Sequence, residues 1–194
     1  VERLSKGERF LSVPEAGCIG GIRTELLSTP GSAYVKIAEG CNHRCSYCAI
    51  PLIRGNLRSR ERAEIVAEIK SLLARGIFEF DLVAQDLAAF GTDRGRSEFP
   101  ALLAELSKLE GDFWVRLLYI HPDNFPLEIL SLIEEDRRIL PYFDIPLQHA
   151  SKQILASMGR VGDRDTYRRL FETIRSRLPD AVIRSTFLLG YPGE

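Results

Sequence analysis

The chain has 194 residues, 45% hydrophobic and 27% charged, with a formal net charge of −1 at pH 7. That length supports one globular domain with a real core, and the near-zero charge excludes binding to nucleic acid through bulk positive charge. No apolar run approaches the roughly 20 residues of a membrane span and no signal peptide is visible, so a cytoplasmic chain without a membrane partner is expected. The sequence opens on Val1 and reads as a fragment.

Residues 1–30 mix charges with Pro14, Gly17, Gly20, Gly21 and Pro30 and read as a linker or remnant ahead of a core over 31–194. The isolated Cys18 reads as a buried or free thiol. From Ser32, strand-like and helix-like runs alternate. Residues 33–38 form a first strand. Ser59 can cap a helix with Ile65, Ile69, Leu72 and Leu73 on one face, ending at Gly76. Residues 78–84 form a second strand, followed by a helical stripe of Leu102, Leu103, Leu106 and Leu109. Phe113 to Leu118 is a third strand, and Pro126 starts a helix carrying Leu127, Leu130 and Ile133. Tyr142 to Ile145 is a fourth strand. Tyr167, Leu170, Phe171, Ile174 and Leu178 line a further helix, and Ala181 to Leu189 is a fifth strand. This alternation predicts βαβ units and an α/β fold with a parallel sheet, wound in one sense by right-handed crossovers toward a barrel that five strands cannot close.

Three cysteines, Cys41, Cys45 and Cys48, lie in one loop after the first strand and Gly40. Thiolates at this spacing suit an iron–sulfur cluster: three ligands for four irons leave one iron open, the arrangement of a catalytic cluster. The competing reading is zinc, with His43 or Cys18 as fourth ligand, in a non-catalytic zinc-stabilised binding module. Three clustered cysteines cannot all pair as disulfides. Tyr47 can shield one cluster face or stack on a bound base. Arg54, Arg58, Arg60 and Arg62 make a basic stretch, and residues 1–60 hold nine Lys/Arg against five Asp/Glu. This is a solvated loop and helix start or a binding surface.

In α/β folds of this kind sites form at the carboxyl ends of the strands. Those ends carry the three cysteines, then Gln85 and Asp86, then His121, Pro122 and Asp123, then Gln148 and His149, then Gly190 and Glu194. Polar groups from all five strands thus meet at one mouth. Trp114 and the phenylalanines read as core.

Cys41-x-x-x-Cys45-x-Tyr47-Cys48 resembles the signature of the radical S-adenosylmethionine (SAM) superfamily. Tyr34 to Gly40, Ile50-Pro51, Arg54-Gly55 and Arg58-Ser59-Arg60 are similar to its methylthiotransferase branch. So are Ala84-Gln85-Asp86, Phe90-Gly91, Tyr119-Ile120-His121-Pro122, Asp144 to Ser151, Met158-Gly159-Arg160 and Gly190 to Glu194. The likeness spans roughly residues 30 to 194. Gln85-Asp86 and Pro146 to Ser151 resemble the RimO type, which modifies an aspartate of a small-subunit ribosomal protein; modification of a tRNA adenosine is the alternative within the branch, and the arginine stretch would suit it.

The resemblance implies a partial, open parallel β/α barrel of six strands, truncated here after the fifth. It implies a 4Fe-4S cluster on Cys41, Cys45 and Cys48 and SAM on its open iron. One electron from the cluster, itself fed by a flavodoxin or ferredoxin, would cleave SAM to methionine and a deoxyadenosyl radical that takes hydrogen from the aspartate β-carbon. A second 4Fe-4S cluster is expected only in the full-length enzyme. Gln85, Asp86 and Gln148 are expected to hydrogen-bond the amine, carboxylate or ribose of SAM. Arg184 is expected either to neutralise a carboxylate or to face outward, and the Gly190 backbone to approach adenine closely.

Overall fold

The computed structural model describes Leu26 and residues 28–194; Cys18 and nearly all of the expected linker lie outside them. Five strands form one parallel sheet: β1 (Ser32–Lys36), β4 (Glu79–Val83), β5 (Trp114–Leu118), β6 (Ile139–Asp144) and β7 (Val182–Arg184), in that order across the sheet. Spatial order follows chain order, so each crossover carries the chain one strand further, as repeated βαβ units require. The crossovers contain α2 (Arg62–Leu73), α3 (Phe99–Leu106), α4 (Ile129–Glu135), then α5 (Lys152–Ser157) and α6 (Arg164–Arg177). Two further strands, β2 (Ala38–Glu39) and β3 (Arg58–Ser59), pair antiparallel beside the sheet and bracket the short helix α1 (Ile50–Arg54).

The core lies between sheet and helices. Ala33, Val35, Phe80, Leu82, Val115, Leu117 and Phe143 come from the strands, and Ile65, Ile69, Leu72, Phe99, Leu102, Leu106, Ile133 and Ile174 from the helices; all are buried in one cluster. Alternate strand residues point the other way, since side chains swap faces at each step. Tyr34, Asp81 and Arg116 are in register across three strands. Arg116 Nη2 pairs with Glu79 at 2.6 Å, and its guanidinium lies 5.0 Å from the Tyr142 ring. The second face of the sheet is therefore polar and ion-paired, unlike the apolar filling of a closed barrel.

Several boundaries differ from the sequence expectation. The first strand run splits: β1 ends at Lys36, and Ala38–Glu39 turns away to pair with β3. Ser59 does not cap α2. It sits in β3, where its Oγ accepts from the Gly91 amide at 2.8 Å and its own amide donates to Asp93 Oδ2 at 2.9 Å; the N-cap position falls to Glu61. The helix expected from Pro126 begins at Ile129, because Pro126 accepts in a turn from the Ile129 amide at 3.1 Å. The fifth strand is only Val182–Arg184; beyond it the chain continues as an isolated bridge between Phe187 and Gln148. No helix among the described residues is long and apolar enough to cross a membrane.

Candidate functional site

The cysteine loop starts where the β2–β3 ribbon closes. Gly40 adopts φ +79°, and a Cβ there would meet the Asn56 carbonyl oxygen at 2.2 Å, so only glycine lets the loop's two ends cross this closely. The Cys41 amide donates to the Gly55 carbonyl at 3.2 Å, and Asn42 Oδ1 accepts from the Leu57 amide at 3.0 Å. The far side of the loop is pinned by the end of α5. The Ser46 amide donates to the Met158 carbonyl at 3.0 Å, and Gly159, at φ +74°, lies so close that a Cβ would stand 2.8 Å from the Arg44 carbonyl oxygen. Tyr191 Oη donates to the Ser157 carbonyl at 2.9 Å and lies 2.6 Å from Ser46 Oγ. The loop that carries the thiols is thus fixed at both ends.

The three cysteines are free thiols that line one cavity of about 290 Å³, together with His43, Tyr47, Ile50, Ala84, Gln85, Tyr119, His121 and Arg160. Burial, and the charges of Asp86, Cys45 and Cys48, push the Cys41 thiol up. A bound cation would reverse that, since thiolates are held by metal charge. Among the described residues no three His, Cys, Asp or Glu side chains gather around a point where a single ion would sit; a cubane cluster spreads its thiolates over different irons. Six buried side-chain polar atoms lack a partner among the described residues, and three of them, Gln85 Oε1, His121 Nε2 and Arg160 Nε, belong to residues lining this cavity. Buried polar atoms are nearly always satisfied, so their concentration here is the mark of a polar ligand. The residues present therefore fit a three-thiolate cluster with a polar molecule beside it.

Behind the cavity, Asp86 organises the strand ends. It is 2% exposed. Its Oδ1 accepts from the amides of Ala88 at 3.0 Å and His121 at 3.1 Å, and its Oδ2 lies 2.9 Å from His43 Nε2. The His43 ring stacks on His121, 4.1 Å between centroids and 13° from parallel. Burial pushes the His121 imidazole down to about 4, with Arg160 and His43 adding to it. Arg160 reaches Tyr47 Oη at 3.2 Å and the Pro146 carbonyl at 3.0 Å. Burial pushes the Tyr47 phenol up to about 12 against the pull of Arg160. Tyr119 lines the cavity from a positive φ of 74°, a conformation that costs about 1–2 kcal/mol outside glycine and that gathers at functional sites.

The sequence-predicted site residues divide. Cys41, Cys45, Cys48, Tyr47 and Gln85 line the cavity. Asp86 stands behind it with its oxygens committed to the protein. Gln148 is buried in the turn after β6, at φ 67°, with its amide donating to the Thr186 carbonyl at 2.8 Å; it is not part of the cavity wall. Arg184 is 61% exposed and faces Asp144 on the neighbouring strand at 3.4 Å. The exposed Gly190 donates its amide to Glu194 Oε2 at 2.6 Å. Of the basic stretch, Arg60 pairs with Glu68 and Arg62 with Glu98 and Glu105, while the half-exposed Arg54 shares Glu39 with Lys36. Sequence reasoning missed Tyr119 and Arg160 as wall residues. Both lie in runs that carried the resemblance, but Arg160 follows a helix rather than a strand.

Comparison with known proteins adds a family. The model of the radical SAM superfamily matches residues 35–194. The ribosomal protein uS12 methylthiotransferase RimO of Moorella thermoacetica is 46% identical over 196 residues, covering 100% of this chain and 45% of that protein. The RimO of Treponema denticola is 44% identical over 205 residues, covering 96% of this chain and 44% of its own. The chain therefore spans less than half the length of the curated relatives it matches. Among solved structures, the radical S-adenosylmethionine methyltransferase TsrM of Kitasatospora setae, with tryptophan and a SAM analogue bound, superposes with a TM-score of 0.67 at 22% identity, over 84% of this chain and 31% of that one.

Proposed function

The chain belongs to the radical SAM superfamily, and from that premise we propose that it is the catalytic core of a methylthiotransferase acting on an aspartate of the small-subunit ribosomal protein uS12. The observation that carries this reading is one cavity in which three cysteines of a pinned loop meet three buried, partnerless polar atoms. The relatives supply the reaction class.

Cys41, Cys45 and Cys48 would hold a [4Fe-4S] cluster, leaving one iron for SAM. Loaded in this way, the site supplies one-electron reductive cleavage of a carbon–sulfur bond, chemistry that belongs to the cofactors. The protein's part is to bind, orient and keep water out. Gln85 Oε1 offers an acceptor toward the bound molecule. Tyr47, Ile50, Ala84 and Tyr119 give the cavity its walls and exclude water that would quench a radical. Asp86 fixes the wall from behind and touches no ligand in this arrangement. Gln148, Arg184 and Gly190 are left without a cofactor contact in the proposal. A small electron-transfer protein would supply electrons, and the cluster would require a reducing compartment such as the cytoplasm. Arg60 and Arg62 are held by glutamates, so the arginine stretch lends the tRNA alternative little support.

The reading is tested in two parts. Reconstituted with iron and sulfide and given SAM and a reductant, the chain should release deoxyadenosine and methionine in equal amounts; a chain with a complete cluster that releases neither contradicts it. In cells lacking the gene, uS12 should lose a methylthio group from one aspartate and regain it when the gene is restored. Loss from tRNA with uS12 unchanged would contradict the substrate assignment.

A further inference from the structure

We infer that the exposed face of α1, Leu52 and Ile53 with Arg54 and Lys36 at its edge, is the docking surface for the carrier that delivers electrons to the cysteine cavity. The carrier it fits is a small acidic protein with apolar surface around a one-electron centre. The inference rests on the cluster reading of that cavity and adds the place where the electron enters.

Helix α1 runs from Ile50 to Arg54 and buries none of its residues. Leu52 is 90% exposed and Ile53 69%. A single exposed apolar side chain is ordinary. Two adjacent ones, on a helix that gives no buried residue to the core, are not explained by folding. The pair is also held rigidly. Pro51 stands in the first turn, and the amides of Leu52 and Ile53 both donate to the Ala49 carbonyl, at 3.0 and 3.1 Å. The Gly55 amide closes the helix on the Pro51 carbonyl at 3.1 Å. A preorganised patch loses little freedom when a partner covers it.

Both ends of α1 are tied to the cysteine loop. Ile50 follows Cys48 by two residues and lines the cysteine cavity, and the Gly55 carbonyl accepts from the Cys41 amide at 3.2 Å. A helix only about 7.5 Å long thus carries a cavity residue at its start and the exposed pair within the same turn. The charge beside it has one sign. Glu39 is 3% exposed and lies 2.6 Å from Lys36 Nζ and 3.5 Å from Arg54 Nε. One carboxylate faces two cations, and among the described residues neither cation pairs with a second one. The edge of the patch therefore keeps an excess positive charge, which steers an acidic partner. A small apolar patch with charge at its rim suits a carrier that must dock and leave for each electron. At the contact the carrier's reduced centre would lose one electron and the cluster on Cys41, Cys45 and Cys48 would gain it.

The probe is an acidic [2Fe–2S] ferredoxin, and the variants are Leu52→Ser with Ile53→Ser, Arg54→Glu, and Leu127→Ser as an exposed control away from α1. Calorimetry at low and physiological salt measures ferredoxin binding, and iron content is measured on each reconstituted variant. SAM cleavage is driven either by reduced ferredoxin or by dithionite, which needs no docking surface. We expect the double serine variant and Arg54→Glu to bind ferredoxin about ten-fold more weakly or worse, Arg54→Glu to lose most of the salt dependence, and Leu127→Ser to match the wild type. Ferredoxin-driven cleavage should fall with binding, while iron content and dithionite-driven cleavage stay unchanged. Wild-type chain that does not bind ferredoxin, α1 variants that bind it equally well, or α1 variants that lose their iron would each overturn the inference. So would a wild-type dimer that the serine changes split, since a second copy would then cover the patch. A wild-type chain that cleaves no SAM even with dithionite contradicts the cluster reading itself, whatever its affinity for ferredoxin.

Discussion

At the residue scale the account rests on a few side chains whose replacement has distinct consequences. Replacing any one of Cys41, Cys45 or Cys48 by alanine is expected to abolish stable iron uptake after anaerobic reconstitution, while Cys18→Ala leaves it intact; iron and sulfide analysis of the four variants decides. Gly159→Ala places a Cβ 2.8 Å from the Arg44 carbonyl oxygen at φ +74°. It should cost about 1–3 kcal/mol, seen as a lower melting temperature, and should loosen the cysteine loop enough to reduce iron retention. An unchanged melting temperature would show that the Met158–Arg160 turn does not hold the loop. The thiols were legible in sequence because their spacing is chemical. Gln85 was legible because it follows a strand. Arg160 was not, because it enters the cavity from a turn between two helices, and no strand-end rule points there. Asp86 was legible as a residue but not as a role: only its three protein contacts show that its oxygens are already used.

At the element scale, connections do as much as helices and strands. Arg138 is a clear case. It grips Asp136 with Nε at 2.9 Å and Nη2 at 2.8 Å, and donates to the carbonyls of Ser107 and Leu109, tying the end of α3 to the start of β6. Its guanidinium lies 4.7 Å from the Phe113 ring. The Arg138 hydrogen bonds hold the Asp136 carboxyl below the usual range. A depressed folded-state value contributes stability that is present above the unfolded value of about 4 and is lost as pH falls through the folded one. Asp136→Asn should therefore cost about 1–2 kcal/mol at neutral pH, and the difference from wild type should shrink steadily below about pH 4. Denaturant melts of both proteins at several pH values check this; a difference that does not vary with pH would mean the charge is irrelevant. Strands β4 and β5 and helices α2, α3 and α6 were legible from apolar periodicity. The short α1 and α5 were not, because five or six residues are too few to show a helical period. The fifth strand was over-read, because after Arg184 the same β-prone residues pair only once, at Phe187.

At the scale of the whole molecule, chain-order crossovers bring all the strand ends to one side of the sheet, and the cysteine loop closes over that end. Alternation of strands and helices predicted this much. The polar second face was harder to see, because Arg116 reaches Glu79 and Asp81 only once β4 and β5 are in register. The chain contains four cysteines, three of them in one loop, so it cannot provide three thiolates for a second cluster. Incubated with uS12, SAM, sulfide and reductant, it should cleave SAM without adding a methylthio group; mass spectrometry of uS12 showing that group would prove one cluster sufficient.

The central claim is that Cys41, Cys45 and Cys48 hold a cluster with one iron open to SAM. Electron paramagnetic resonance of the reduced, reconstituted chain, recorded with and without SAM, addresses it most directly. The account predicts a 4Fe-4S signal that changes when SAM is added, and no such signal from Cys45→Ala. A signal unaltered by saturating SAM would contradict it, as would a chain that binds one zinc in place of iron.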